Sequence, residues 1–131
     1  MQEIIPLISN IFKLLVAVLC GCLIGLRRQI ALKFLGVPTH ALIAAGSCLL
    51  MIVSLNRYLS DPGKTAAHVA VGVGFLGAGI IFGERGAASG IWTAVSIWAA
   101  AASGLAIGAN MFLEGALNTL LAYFILSFPR E

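Results

Sequence analysis

Charged residues are scarce in this chain of 131 residues, where Lys and Arg number 8, Asp and Glu number 5, and all four make up 10%. Soluble domains carry about 25% charged residues, so this chain lacks the side chains needed to cover a soluble core. Only 3 cysteines occur, and Cys20, Cys22 and Cys48 all lie in apolar stretches. They fit the role of small hydrophobic residues, which argues against a disulfide framework or a metal site.

Long apolar stretches take up most of the sequence, and hydrophobic residues make up 60% of it. Five stretches, at positions 4–26, 40–59, 66–82, 90–108 and 111–128, have about the length that a helix needs to cross a bilayer. They predict an all-α polytopic membrane protein with five transmembrane helices in a single domain over positions 1–131. Asn110 separates the last two stretches, which predicts a tight helical hairpin.

The placement of basic residues along the chain predicts how the protein is oriented across the membrane. Five spans put the two termini on opposite sides, and an outer N-terminus leaves these basic residues inside: Arg27, Arg28, Lys33, Arg85 and Arg130. Only Arg57 and Lys64 then lie outside, so the positive-inside rule favours an inner-membrane protein with a cytoplasmic C-terminus. The bases form no stripe for nucleic acid, and the first stretch lacks the basic start of a cleaved signal peptide.

Glycine is dense in the third and fourth stretches, where Gly72, Gly74 and Gly77 even match the dinucleotide pattern GxGxxG. That site needs a preceding strand and a later acidic residue, and an apolar helix supplies neither. Small residues that let membrane helices approach closely are the better interpretation. The predicted packing residues, within one chain or between copies, are Gly21, Gly25, Gly72, Gly74, Gly77, Gly79, Gly104 and Gly108.

Lys13 is a basic residue inside the first stretch, about 14 Å from its outer end at 1.5 Å per residue. A lysine at the centre of a span costs about 2.5–3.5 kcal/mol on insertion scales. One interpretation is that its side chain reaches back to the outer interface. The other is a structural ion pair with Glu114, the carboxylate inside the fifth stretch.

The first, third and fifth spans all begin at the predicted outer face. Their polar residues therefore share the outer half of the membrane: Lys13, Asp61, Lys64, His68, Glu114 and Asn118. Asp61 is predicted to cap the third helix, with Pro62 in its first position. His68 has either an acid-sensing role or an ordinary packing or interfacial one.

Asp61 and Glu114 are candidate ligands of Mg²⁺, which binds through one or two carboxylates and several waters. Lys13 and Lys64 offset much of their negative charge. No serine has a histidine and a carboxylate at a recognisable spacing, so the sequence predicts neither an enzyme nor a bound cofactor.

Several motifs occur in order along the chain. They are positions 21–29, 36–42 and 61–62, then GVGFLGAGIIF at 72–82, GIWTAVSIW at 90–98 and GLAIG at 104–108. Together they resemble the membrane domain of the MgtC/SapB family. The resemblance implies a role in growth under magnesium limitation and, in some pathogens, in survival inside host cells. It also makes Asp61 the first candidate for a functional carboxylate.

Three charged positions depart from the family pattern. Arg27 stands where the family usually has glutamate, and Pro38 and Ser89 stand where it usually has arginine. All three lie on the predicted inner face, so they bear on any function of the charged residues of that face. Many members also carry a soluble ACT-like C-terminal domain. This sequence ends at Glu131, so that domain is expected to be missing or to belong to another polypeptide.

Three functions therefore stand as expectations. The first is modulation of another membrane protein under magnesium limitation or acid stress. In this case the chain is expected to form a homo-oligomer in the lipid bilayer. The second is a small oligomeric transporter of divalent cations such as Mg²⁺. The third is a membrane subunit for a separately encoded soluble domain.

Overall fold

The computed structural model describes residues 2–31, 36–57, 61–83 and 87–128. The helices, in chain order, are α1 (Ile4–Ala31), α2 (Val37–Arg57), α3 (Pro62–Gly83), α4 (Ala87–Gly108) and α5 (Phe112–Leu126). No strand occurs within these ranges. The predicted all-α class is confirmed.

Four of the helices are long and apolar enough to cross a membrane, namely α1 to α4. The fifth, α5, has 15 residues, or about 22 Å at 1.5 Å per residue, against a hydrocarbon core of ~30 Å. The chain is therefore a multi-pass membrane protein. The observed α5 is shorter than the stretch 111–128 predicted for it, and α1 continues beyond the predicted end at position 26.

The start of α3 follows from two neighbouring residues. The Asp61 Oδ1 atom accepts a hydrogen bond from the Lys64 backbone N–H at 3.0 Å, and Pro62 is the first helical residue. Asp61 thus satisfies one of the free donors of the first turn. The predicted cap is confirmed.

The turn between α4 and α5 is built on Asn110, whose φ of 67° lies in the left-handed region. The Met111 N–H donates to the Ala106 carbonyl at 2.8 Å, and the Asn110 N–H donates to the Ile107 carbonyl at 3.1 Å. These are the two bonds of a Schellman motif, with asparagine in the place that glycine usually takes. The predicted tight hairpin is confirmed.

Helix α4 lies at the centre of the arrangement and contacts each of the other four. Among the described residues, α3 contacts α2 and α4 but neither α1 nor α5. Helices α1 and α5 therefore contact each other, and α3 is separated from both of them.

Glycines of α1 and α4 hold α2 between them at backbone distance. A Cβ added to Gly21 would lie 2.8 Å from the Ala41 Cα, and one added to Gly108 would lie 2.6 Å from the Cys48 carbonyl oxygen. Gly25 and Gly104 meet α2 in the same way. These four predicted packing glycines therefore act within the chain.

The glycines of α3 divide into two kinds. Gly77 faces α4, because its added Cβ would lie 3.2 Å from the Ala94 Cβ. For Gly72, Gly74 and Gly79, an added Cβ would meet nothing within 4 Å. The motif that stands out most in the sequence therefore points largely away from the rest of the chain.

Candidate functional site

The interior of the helix bundle contains polar side chains among apolar ones. Among the described residues, the buried ones are Lys13, His40, Ser47, Ser54, Thr93, Ser96, Ser103 and Thr119. An unpaired polar group costs free energy in lipid and in a packed core alike. The partners of these groups therefore decide which of them are structural and which are candidates for function.

A hydrogen-bond network centred on His40 joins α2 to α4. Its Nδ1–H donates to the Gly36 carbonyl at 2.9 Å, since a carbonyl can only accept. Its Nε2 and the Thr93 carbonyl both lie within hydrogen-bond distance of the Ser96 Oγ, at 2.8 Å and 2.7 Å, and the single hydroxyl proton can be donated to only one of them at a time. His40 is fully buried, so this network fixes the packing of α2 on the central helix.

A second network joins α4 to α5. The Asn118 Nδ2 donates to the Ala99 carbonyl at 3.1 Å and to the Ser103 Oγ at 2.9 Å. The Thr119 Oγ1 lies 3.0 Å from the same Ser103 Oγ and 2.8 Å from the Gly115 carbonyl. Asn118 was predicted as an intramembrane polar residue, and its amide is used to attach α5 to α4.

Lys13 differs from these residues. It is only 7% exposed and lies close enough to Cys48 of α2 to interact with it electrostatically. Across the described ranges its ammonium group has no hydrogen bond or ion pair, and Glu114 is exposed on α5. The expected pairing of Lys13 with Glu114 is therefore not formed within the described part of the chain.

Replacing Lys13 by methionine is expected to raise the free energy of unfolding by about 1–3 kcal/mol. Methionine keeps the length of the side chain but removes a buried charge that has no partner. The measurement is reversible unfolding in mixed micelles, with the exposed Lys64→Met as the matched control. A loss of stability in Lys13→Met alone would contradict the absence of a partner.

The polar residues of the predicted outer half do not form one cluster. Asp61, Lys64 and His68 belong to α3 or its cap, whereas Glu114 and Lys13 belong to α5 and α1, which α3 does not contact among the described residues. Asp61 and Glu114 are both exposed. A shared cation site for these two carboxylates is not formed within one copy. The described residues also contain no group of three or more His, Cys, Asp or Glu side chains placed to hold a metal ion.

One of the predicted inner-face basic residues has a definite partner. The Arg27 guanidinium lies over the Tyr123 ring at 5.7 Å from its centroid, within the range of a cation–π interaction. This contact joins α1 to α5 at the end opposite Lys13. The side chain of Arg28 and all of Lys33 lie outside the described residues, as does Arg85.

Sequence reasoning missed the buried hydrogen-bonding residues of α4. Thr93, Ser96 and Ser103 are spaced by three and seven residues, which places them along one face of a helix. That spacing of small polar residues in an apolar helix was the available signal. All three are buried; the Ser96 hydroxyl contacts His40 of α2, and the Ser103 hydroxyl contacts Asn118 of α5.

Comparisons with known proteins agree with one another. The sequence model of the MgtC family matches residues 14–131. Protein MgtC of Salmonella typhimurium LT2 is 35% identical over 121 residues, which cover 92% of this chain and 52% of that protein. Protein SapB of Bacillus subtilis 168 is 38% identical over 128 residues, covering 90% and 55%.

A further relative, from Escherichia coli K12, is named "Putative magnesium transporter YhiD". It is 39% identical over 122 residues, which cover 86% of this chain and 56% of its own length. The chain thus spans about half the length of these curated relatives. No solved structure matches it significantly.

Proposed function

Because the chain belongs to the MgtC family, we propose that it modulates another membrane protein during adaptation to magnesium limitation or acid stress. One relative is named a putative magnesium transporter and another bears the name of the family, which supports the magnesium setting. The proposed location is the inner membrane, with the N-terminus outside and the C-terminus in the cytoplasm. The distribution of Arg and Lys supports that orientation.

The observation that carries the proposal is the unpartnered surface of α3. This helix buries only Val69, Val73 and Gly77. A Cβ added to Gly74 or Gly79 would meet no atom of a neighbouring helix within 4 Å. Elsewhere in the chain, glycines such as Gly104 bring another helix to backbone distance. An exposed membrane helix whose small residues contact no other helix of the chain is suited to close packing against a helix of another protein.

Transport is the other candidate, and the interior argues against it. The carboxylates among the described residues, at Glu3, Asp61 and Glu114, are all exposed. The one buried charge on this part of the chain is the positive charge of Lys13, which repels cations. The polar side chains of Ser96, Ser103, Asn118 and Thr119 make contacts that join α4 to α2 and α5, and none of them carries a charge.

The first test is divalent-cation flux into liposomes that contain the purified protein, beside the Asp61→Asn variant. Asparagine caps a helix about as well as aspartate, so the variant removes the charge and keeps the start of α3. We expect no flux above empty liposomes from either protein. Flux in the parent that is lost in the folded variant would make the protein a transporter.

The second test is growth at limiting magnesium of a strain that depends on this gene. Gly79→Leu is expected to abolish complementation at normal protein level, because leucine adds bulk to a surface of α3 where an added Cβ meets nothing within 4 Å. The matched control is Ala116→Leu, at an exposed position of α5 that lies outside the groove between α2 and α3. Full complementation by Gly79→Leu would refute the role of this surface.

A further inference from the structure

An apolar groove separates α2 from α3 and opens towards the surrounding lipid. The two helices are joined at one end, where the Ser54 and Thr65 hydroxyl groups lie 2.7 Å apart. Beyond that contact they enclose a groove of about 620 Å³, lined by positions 42–50 of α2 and 65–76 of α3. Gly46 and Gly72 keep the groove wide, because they have no side chains to fill it. A Cβ added at either position would have no neighbouring atom within 4 Å.

The length of the groove limits what can fill it. Its lining on α3 extends over positions 65–76, or about 16 Å at 1.5 Å per residue. That is roughly half of a ~30 Å hydrocarbon core. A partner helix that crosses the membrane would be about twice as long as the groove, whereas an acyl chain of one leaflet spans only this half.

The charge at the joined end fits the phosphate of such a lipid. Arg57 ends α2, Lys64 lies in the first turn of α3, and His68 lines the groove one turn further on. All three are exposed, and Lys64 and His68 share one face of the helix. The carboxylate at this end, Asp61, is hydrogen bonded to the Lys64 backbone N–H. This end of the groove therefore presents more positive than negative groups.

We propose that the groove between α2 and α3 binds one anionic phospholipid. An acyl chain fills the apolar part beside Gly46 and Gly72, and the phosphate lies at the level of Arg57 and Lys64. The lipid covers apolar surface that the two helices do not bury against each other. This site is separate from the surface at Gly74 and Gly79 on which the proposed function depends.

The test is native mass spectrometry of the delipidated protein titrated with dioleoyl phosphatidylglycerol. The comparison lipid is dioleoyl phosphatidylethanolamine, which has the same chains and no net charge. We expect one tightly bound phosphatidylglycerol per chain and weaker binding of the neutral lipid. Basic residues near a membrane surface contribute about fivefold each to the binding of anionic lipid. Arg57→Gln with Lys64→Gln is therefore expected to weaken binding about 25-fold and to abolish the preference for the anionic headgroup.

Groove-filling variants test the acyl chain separately. Gly46→Leu and Gly72→Leu are expected to remove the tightly bound lipid of either headgroup, while Gly79→Leu keeps it, because position 79 lines none of the groove. Circular dichroism checks that each variant remains folded. Equal binding of both lipids by the parent would overturn the proposal. So would retention of the lipid in both groove variants, or a lipid-free dimer that both groove variants disrupt. The two proposals can fail separately. If Gly79→Leu loses complementation but still binds the lipid, the surface at Gly79 and the lipid groove are separate sites.

Discussion

Gly104→Ala is expected to destabilise the fold by about 3 kcal/mol or more. The added methyl group would meet the Ala44 carbonyl oxygen and lie 2.8 Å from its carbonyl carbon. These are backbone atoms inside a helix, so no flexible side chain can move aside, and the two helices must separate. Overpacking of a tight core costs about 1–3 kcal/mol and occasionally more. Separation of α2 from α4 would also strain the hydrogen bond between His40 and Ser96.

The matched control is Gly79→Ala, the same change where an added Cβ meets nothing within 4 Å. Alanine favours a helix over glycine by about 1 kcal/mol in soluble hosts, so this variant should be neutral or slightly more stable. The measurement is reversible unfolding in mixed micelles, followed by circular dichroism. Similar stabilities for the two variants would mean that α2 does not approach α4 at Gly104 as closely as described.

His40→Ala is expected to cost about 3 kcal/mol through two separate effects. The imidazole is fully buried, so its removal leaves a cavity. The Ser96 hydroxyl also loses its contact with Nε2, and the Gly36 carbonyl loses its contact with Nδ1. Buried polar groups that lose a partner cost about 1–3 kcal/mol.

A double-mutant cycle separates the two effects. If His40 and Ser96 interact as described, Ser96→Ala should cost less in the His40→Ala background than in the parent, by about 0.5–3 kcal/mol. His68→Ala is the control, because that histidine is exposed at the groove and its replacement should change stability by less than about 0.5 kcal/mol. Additive effects of His40→Ala and Ser96→Ala would show that the contact contributes nothing to stability.

The two histidines illustrate the limit of sequence reasoning in this protein. Both stand near the start of an apolar helix, and hydropathy gives no reason to separate them. His40 is enclosed because Gly21 and Gly25 bring α1 against the first turns of α2. His68 is exposed because α3 contacts only α2 and α4 among the described helices. The difference depends on which helices are neighbours, and their spacing along the chain does not contain that information.

Lys13 and the glycines of α3 lead to the same lesson. The sequence singled out Lys13 as costly and suggested Glu114 as its partner, since both lie in the same half of the membrane. Depth is the only coordinate that such an argument uses. Lys13 faces the interior while Glu114 faces outward, so equal depth did not bring them together. The glycines at 72, 74 and 79 likewise share a helix with Gly77, yet only Gly77 faces α4.

Composition and hydropathy were enough to predict the class of this protein, the number of its helices and most of their ends. Apolar length requires helices that satisfy their own backbone groups in lipid. Local residues such as Asp61, Pro62 and Asn110 set the ends. The packing of the helices was needed to show which face of each helix is buried, which glycines are in contact and which polar groups are hydrogen bonded. Sequence leaves these points open because the lipid-facing and core-facing surfaces of a membrane helix are both apolar. Hydrophobic periodicity, which reveals the buried face of a helix in a soluble protein, is therefore too weak here to orient one helix against another.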